Sequence, residues 1–178
     1  MPASSRSASG AGGIVSGVRA PWPEPVERVA AYLREAGAEA RLEEFETATA
    51  TAADAARAAG CALGQIVKTM VVVCDGRAVV ALIPGDRRAD LGKIARAAGA
   101  VEARIAKAAE VEEATGFAPG AVAPFPLPQI ELVLVDQGLL AYDTVWVGAG
   151  SDRHVAALGA GDLVRLARAR PIDAVEEA

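Results

Sequence analysis

The chain has 178 residues, with 18 lysines and arginines, 23 aspartates and glutamates, one histidine, two cysteines and a formal net charge of -5. This length predicts a single domain, and one histidine with two cysteines excludes a disulfide framework and a zinc site with four Cys or His ligands. The acidic balance argues against extended binding to a nucleic-acid duplex, and the scarcity of cysteine favours a cytoplasmic setting.

The first segment, residues 1–21, is rich in Ser, Ala and Gly and predicts a flexible N-terminal tail. It lacks the continuous apolar stretch of a signal peptide. No later segment carries about 18 apolar residues in a row, so we expect no contact with a membrane. We expect one ordered domain over residues 22–172 and a C-terminal tail over residues 173–178.

Helices and strands are predicted from apolar spacing and from the glycines that stop several helices. In chain order the pattern predicts a helix from Val26 to a stop at Gly37, a strand over 40–46, a helix over 51–59, strands over 66–73 and 77–84, a helix over 89–98, a strand over 101–106, a helix over 110–115, strands over 130–135 and 143–149, a turn at Gly150-Ser151 and a helix over 160–169.

The strand over 66–73 is apolar on both faces, which predicts a covered sheet or a closed barrel. Asp75-Gly76 indicates a hairpin turn into the next strand. Because the helices and strands do not alternate regularly, we predict an α+β fold with a mixed sheet or barrel.

Lys68 is the first candidate for function because it lies inside this apolar strand. Strand alternation places it on the same face as Met70 and Val72. A lysine on an inward face loses its water, and its pKa is easily displaced there. The alternative is that Lys68 lies near the end of the strand and reaches solvent.

Two glycine-containing segments are further candidates. In the Gly- and Pro-rich stretch 116–128, Gly120 is free to take a positive φ and Pro124 stiffens the return. Such a loop can present backbone amides to an oxyanion or a phosphate, although it is also typical of an ordinary surface loop. The second segment, Gly148 to Ser151, matches neither a Walker loop nor a dinucleotide fingerprint.

A thiol-dependent hydrolase that uses Cys61 or Cys74 with His154 is a further alternative. No nucleophile signature surrounds either cysteine, and cysteine is more often a small buried apolar residue. A lone histidine is likewise more often structural than a general base.

Several of these residues together resemble the YbaK/prolyl-tRNA editing superfamily. The resemblance covers residues 25–170 and is carried by Thr47-x-Thr49, Ala55-Ala56-x-Ala58-x-Gly60, Ile66-Val67-Lys68-Thr69-Met70, Thr115-Gly116-Phe117-x-x-Gly120-x-Val122-x-Pro124-Phe125 and Gly150-Ser151. A Lys-Thr pair in an apolar strand and a Gly-x-x-x-Pro loop are specific when they occur together in this order.

The resemblance implies a mixed, barrel-like sheet surrounded by helices and an aminoacyl-tRNA deacylase that acts in trans. The implied substrate is a mischarged tRNA of the Cys-tRNA(Pro) or Ala-tRNA(Pro) type, contacted at its acceptor end. The implied partner is prolyl-tRNA synthetase, and no metal or other cofactor is needed. The alternative is a non-catalytic module of the same fold that binds tRNA ends or a synthetase.

The resemblance also implies the residues of the site. Lys68 contacts the substrate, and Gly120 and Gly150 complete the catalytic set through their backbone amides. The implied substrate-binding residues are Thr47, Thr69, Pro124, Asp136, Ser151 and His154, of which Asp136 is alternatively a cap at the end of a strand. The chain has Pro126 where the family often has glycine after Pro-Phe, which leaves the amino-acid preference open.

Overall fold

The computed structural model describes residues 22–178. The expected N-terminal tail, residues 1–21, lies outside the described residues. Within the described part, no helix is both long enough and apolar enough to cross a membrane.

The described chain contains five α-helices, eight strands and two short 3-10 helices. The helices are α1 (Glu24–Glu35), α2 (Ala52–Ala59), α3 (Leu91–Ala97), α4 (Ala108–Thr115) and α5 (Ala160–Ala167); the strands are β1 (Ala40–Glu44), β2 (Val67–Cys74), β3 (Arg77–Pro84), β4 (Ala103–Ile105), β5 (Val133–Asp136), β6 (Thr144–Ser151), β7 (His154–Gly159) and β8 (Ala169–Ile172); the 3-10 helices are Leu63–Gln65 and Gln137–Ala141.

The helices and six of the strands occur where the sequence predicts them, and two strands were missed. The apolar stretch of β7 contains small residues and lacks a strong β-branched pattern, and β8 is only four residues long. Helix α5 ends two residues earlier than expected because Arg168 takes a left-handed φ of 50°. The predicted turn at Gly150-Ser151 is wrong, since β6 continues through Ser151 before the chain reverses.

The strands form two sheets. The five-stranded sheet has the order β4-β2-β3-β5-β8 and is mixed, since β2 pairs antiparallel with β3 while β5 pairs parallel with β3 and β8. The three-stranded sheet has the order β1-β7-β6 and is antiparallel. An isolated parallel bridge between Ile66 and Trp146 joins the sheets just before β2 begins. The predicted mixed α+β domain is confirmed, and its described strands form two joined sheets.

The β2–β3 hairpin is buried on both faces. Val71 and Leu82 face the main core, which the inner faces of both sheets and helices α1 and α5 enclose. Val72 and Ile83 face a second cluster beneath α3. A third cluster packs α2 against the outer face of the small sheet. This double burial is what the apolar pattern of the strand over 66–73 predicts.

Residues 174 and 175 of the expected C-terminal tail are packed against the domain, whereas residues 176–178 are exposed. Ala174 and Val175 are buried in the second cluster, and Val175 forms a bridge with Ala89. Lys93 of α3 donates to the carbonyl of Val175 at 2.8 Å. The apolar pair Ala174-Val175 therefore closes the face of the large sheet on which α3 lies.

Asp136 joins this C-terminal segment to the 3-10 helix that follows β5. The residue is 3 % exposed, and its two carboxylate oxygens accept from the backbone N–H of Gly138 at 2.9 Å and of Ala174 at 2.8 Å. Both oxygens are thus engaged by the chain itself. Asp136 is therefore a cap at the end of a strand, the alternative stated in the sequence analysis, and its side chain is buried among the groups that it binds.

We expect Asp136→Ala to lower the free energy of unfolding by roughly 3–6 kcal/mol, because each hydrogen bond to a charged group contributes about 1.5–3 kcal/mol and both are lost. Urea unfolding followed by circular dichroism measures this change. The exposed helical acid Glu113, changed to Ala, is the control and should shift stability by less than about 0.5 kcal/mol. Equal stability of the two variants would contradict the bridging role of Asp136.

Candidate active site

A cavity of about 220 Å³ lies where the start of β2, the start of α2, the loop after α4 and the β6–β7 hairpin meet. It brings together five of the residues predicted from the sequence: Lys68, Thr69, Gly120, Ser151 and His154. The remaining wall is mainly apolar and includes Ala55, Ile66, Val67, Val122, Trp146 and Val155. These features, a small apolar chamber with a few polar groups, are typical of a ligand site.

Lys68 follows the first residue of β2 and contributes to the cavity wall. Its ammonium group donates to the backbone carbonyl of Arg87 in the loop after β3, at 2.5 Å. An ammonium group has three donors, so two remain for other partners. Burial lowers the pKa of Lys68; Asp86 partly offsets this effect and Arg88 adds to it.

Thr69 points to the opposite face of β2 from Lys68, because neighbouring residues of a strand alternate. Its hydroxyl oxygen is buried and has no hydrogen-bond partner among the described residues. A buried hydroxyl without a partner is costly. Thr69 is also one of the residues that line the cavity.

Gly120 lies at the cavity in a left-handed conformation, with a φ of 79°. The expected positive φ is confirmed. The same loop approaches β6 very closely, since a Cβ at Gly148 would meet the carbonyl oxygen of Val122 at 2.9 Å. A side chain at Gly148 would push the loop away from β6. Because this position is glycine, the backbone of the loop and the backbone of β6 can both form the same wall of the cavity.

The tip of the β6–β7 hairpin supplies the polar end of the cavity. The pairing shifts register between Gly148 and Ser151, and such irregularities change the direction of the side chains that follow. Ser151 Oγ lies 2.5 Å from His154 Nδ1 and accepts from the backbone N–H of Arg153 at 3.0 Å. The hairpin tip is tied to the chain before α2, because Thr49 N–H donates to the Asp152 carbonyl at 2.9 Å.

His154 is only 4 % exposed. Its Nε2 has no hydrogen-bond partner in the part of the chain that the structure describes, and the nearest carboxylate, Glu44, lies 3.8 Å away. Burial lowers the pKa of His154, Glu44 and Asp152 oppose this shift, and Arg153 adds to it. These effects together favour the neutral imidazole.

Four of the residues predicted for the site lie outside the cavity lining. Thr47 is exposed in the bend after β1, and Pro124 lines a separate groove with Tyr32 and Leu166. Gly150 packs against α1, because a Cβ there would meet the carbonyl of Pro25 at 2.7 Å. Asp136 is committed to backbone amides, as described above. The spacing of these four residues in the sequence does not indicate whether each of them faces the cavity or another part of the molecule.

Other residues of the wall were not identified from the sequence. Thr51 caps α2 through its hydroxyl, which accepts from Asp54 N–H, and it lines the cavity together with Thr49, Trp146 and Asp152. The capping pattern of Thr51 was recognised, but it carried no sign of a cavity. Trp146 is held by Arg41, whose guanidinium lies 5.6 Å from the ring centroid.

The two cysteines are not part of this site. Neither lines the cavity, and Cys74 is buried in the cluster beneath α3. Burial raises the pKa of both thiols, which disfavours the thiolate that a nucleophile requires. The geometry thus gives no support to the thiol-dependent alternative.

Two further features of the described residues limit what else could form a site. A larger groove of about 730 Å³ runs between the end of α1, β1 and β7, but it is open and contains none of the predicted site residues. Among the residues described, no group of three or more His, Cys, Asp or Glu side chains is placed to hold a metal ion.

The chain is similar to known proteins over most of its described length. Residues 46–166 match the model of the aminoacyl-tRNA editing domain. The chain is 31 % identical over 147 residues to the multifunctional Ser/Thr-tRNA deacylase ProXp-y of Escherichia coli, covering 80 % of this chain and 87 % of the relative. It is also 33 % identical over 124 residues to a proline–tRNA ligase of Acidithiobacillus ferrooxidans, a match to 64 % of this chain and 22 % of the ligase.

A solved structure of a candidate trans-editing enzyme for prolyl tRNA synthetase superposes with a TM-score of 0.82 at 34 % identity. The superposition covers 88 % of this chain and 100 % of that one. The chain belongs to the aminoacyl-tRNA editing domain family. The family, the fold and the hydrolase class expected from the sequence are confirmed.

We expect the stability of the protein to fall as the pH decreases below about 6.5, the ordinary pKa of histidine. The folded state holds a lowered pKa for His154, so in this window the unfolded chain binds more protons and unfolding is favoured. Urea unfolding between pH 7.5 and 5 measures the effect. His154→Asn should flatten the profile, and identical profiles for both proteins would contradict this role of His154.

Proposed function

We propose that this member of the editing family hydrolyses, in trans, the ester that joins a small amino acid to the 3′ end of a mischarged tRNA. The observation that carries the proposal is the meeting of Lys68, Thr69, Gly120 and Ser151 around one small cavity. Its volume of about 220 Å³ is below the roughly 300–1,000 Å³ of pockets for drug-sized ligands. The cavity therefore suits an aminoacyl group, with the tRNA outside.

The mechanism needs neither a metal nor a thiol. An aminoacyl ester is already activated, so a positioned water and stabilisation of the developing oxyanion supply much of the rate enhancement. In the proposal, the free donors of Lys68 hold the substrate by charge and hydrogen bonding. The backbone amide of Gly120 serves as a donor to the oxyanion, and the neighbouring ribose hydroxyl of the substrate orients the water.

Editing by a second, separate site has a physical reason. One or two heavy atoms of difference between amino acids allow a synthetase only about 1–3 kcal/mol of discrimination. A small cavity can then admit the wrong, smaller amino acid and exclude the correct, larger one. The relative that is a proline–tRNA ligase carries a region similar to this chain, which supports prolyl-tRNA synthetase as the partner of a cytoplasmic enzyme.

The amino acid that fits best is one of the small ones, and Thr69 distinguishes among them. The expected substrates are Cys-tRNA(Pro) or Ala-tRNA(Pro), whereas the E. coli relative is named for Ser- and Thr-tRNA. The unpartnered Thr69 hydroxyl favours a substrate side chain that can form a hydrogen bond, because an apolar group would leave it unpaired. We therefore place seryl and threonyl esters beside cysteinyl and alanyl esters as candidates.

Lys68→Ala should lower kcat/KM for deacylation by at least about 100-fold, the loss typical when a donor to the reacting centre is removed. The measurement is release of radiolabelled amino acid from Ser-, Thr-, Ala- and Cys-charged tRNA. Lys107→Ala removes the same charge at the exposed start of α4 and is the matched control. Cleavage by Lys68→Ala at the wild-type rate would overturn this mechanism.

The same panel separates the alternatives. A Cys61→Ser/Cys74→Ser double variant should keep full activity, which excludes a thiol nucleophile. Binding of the charged tRNAs without release of any amino acid by the wild-type protein would instead support the non-catalytic module.

Thr69→Val should lower hydrolysis of seryl-tRNA about tenfold and leave alanyl-tRNA within about twofold, since only the seryl group loses a hydrogen bond. Valine has nearly the shape of threonine, so the cavity keeps its volume. Ratios of kcat/KM for the two substrates measure the effect. An equal loss for both substrates would contradict recognition of the side chain by Thr69.

A further inference from the structure

Ser151 can act toward a ligand as a donor or as an acceptor, and its neighbours decide which. Its oxygen has one hydrogen to give and two lone pairs. One lone pair is used by the backbone N–H of Arg153, at 3.0 Å. The contact of 2.5 Å with His154 Nδ1 uses either the hydroxyl hydrogen or the second lone pair, depending on which ring nitrogen of His154 is protonated.

The surroundings of His154 favour one tautomer. The carboxylate of Glu44 lies 3.8 Å from Nε2, and a proton on Nε2 is attracted to this negative charge. A bare Nε2 would place its lone pair toward the carboxylate. Neutral His154 therefore carries its hydrogen on Nε2, and Nδ1 accepts the hydroxyl hydrogen of Ser151. The hydroxyl hydrogen then points away from the ligand, and one lone pair of Ser151 remains free.

The charges at this end of the cavity fit a cationic ligand group. Asp152 lines the cavity beside Ser151, and both Asp152 and Glu44 act electrostatically on His154. The cation of this end, Arg153, opposes them at His154, but its guanidinium pairs with Glu44 at 3.5 Å, donates to the Phe45 carbonyl at 3.0 Å and does not line the cavity. Lys68, the cationic residue of the wall, belongs to the other sheet. An aminoacyl ester has a matching polarity, with a positive α-ammonium group at one end and a carbonyl oxygen that becomes negative in the reaction.

We propose that His154 is a positioning residue that fixes Ser151 as a hydrogen-bond acceptor for the α-ammonium group of the aminoacyl substrate. This inference rests on the proposed function, and it adds to it the orientation in which the substrate is bound. Protonation of His154 reverses the contact, because Nδ1–H then donates to Ser151. Both lone pairs of Ser151 are then occupied, its hydroxyl hydrogen is released toward the ligand, and the ammonium is repelled.

The tautomer can be observed directly, since His154 is the only histidine of the chain. A long-range ¹H–¹⁵N spectrum of the full chain at pH 7.5 should show a protonated Nε2 and an unprotonated Nδ1. The same spectrum of Ser151→Ala should show a shifted Nδ1 resonance. A proton on Nδ1 in the wild-type protein at this pH would overturn the proposal.

The ligand group is tested with two probes that cannot be hydrolysed. One is alanine joined through an amide to 3′-amino-3′-deoxyadenosine, and the other is its N-acetyl form, which lacks the positive charge. By calorimetry, Ser151→Ala and His154→Phe should weaken binding of the first probe by about 10- to 100-fold, as expected for a hydrogen bond to a charged group. Binding of the acetylated probe should change by less than about threefold.

The pH dependence separates positioning from a merely structural role. Wild-type affinity for the first probe should fall on acidification below about 6.5, a range in which the α-ammonium group of the probe stays charged. His154→Asn offers an amide oxygen as an acceptor that does not titrate, so it should keep most of the affinity and lose the acidic decline. Equal weakening of both probes in Ser151→Ala, or an unchanged decline in His154→Asn, would overturn the proposal.

These outcomes are distinguishable from failure of the proposed function. Binding of the probes requires no hydrolysis, so the role of Ser151 and His154 is tested even if no charged tRNA is cleaved. Conversely, deacylation with equal affinity of wild type and Ser151→Ala for the first probe would retain the proposed function and reject this inference.

Discussion

Burial of the β2–β3 hairpin on both faces is the constraint on which the rest of the domain depends. Val71 and Leu82 require a cover on one side and Val72 and Ile83 on the other. The small sheet with α1 and α5 covers the first face, and α3 with the C-terminal segment covers the second. Neither cover forms a stable layer alone, because each needs the apolar hairpin to bury its own inner face.

The cavity lies at the end of the hairpin, where the layers that cover its two faces stop. At the start of β2 the two sheets meet through the bridge between Ile66 and Trp146, and the main core gives way to polar groups. Lys68 sits at this boundary, which explains why a charged residue is tolerated in an apolar strand: its ammonium group reaches the Arg87 carbonyl. The polar site is thus located at the margin of the core, where desolvation is partial and hydrogen-bond partners are near.

The site draws its groups from segments that are far apart in the chain. Lys68 and Thr69 come from the large sheet, Gly120 from the loop after α4, and Ser151 and His154 from the small sheet. Close approach of backbone at Gly148 and the shifted pairing before Ser151 bring them to one wall. A shift of any one segment would change the distances from its residues to the others in the site. The packing of the two sheets therefore also positions the site.

The sequence by itself determined six of the eight described strands, the helix ends at Gly60 and Gly116 and the presence of a lysine and a positive-φ glycine at candidate sites, because these depend on local spacing and backbone preference. It also carried the family resemblance. Only the tertiary structure decided that Thr51 and Trp146 line the cavity, that Pro124 and Gly150 face other parts of the molecule, and that Asp136 binds the C-terminal segment. Which side of a loop faces a cavity is set by contacts between distant segments, and local sequence does not contain these contacts.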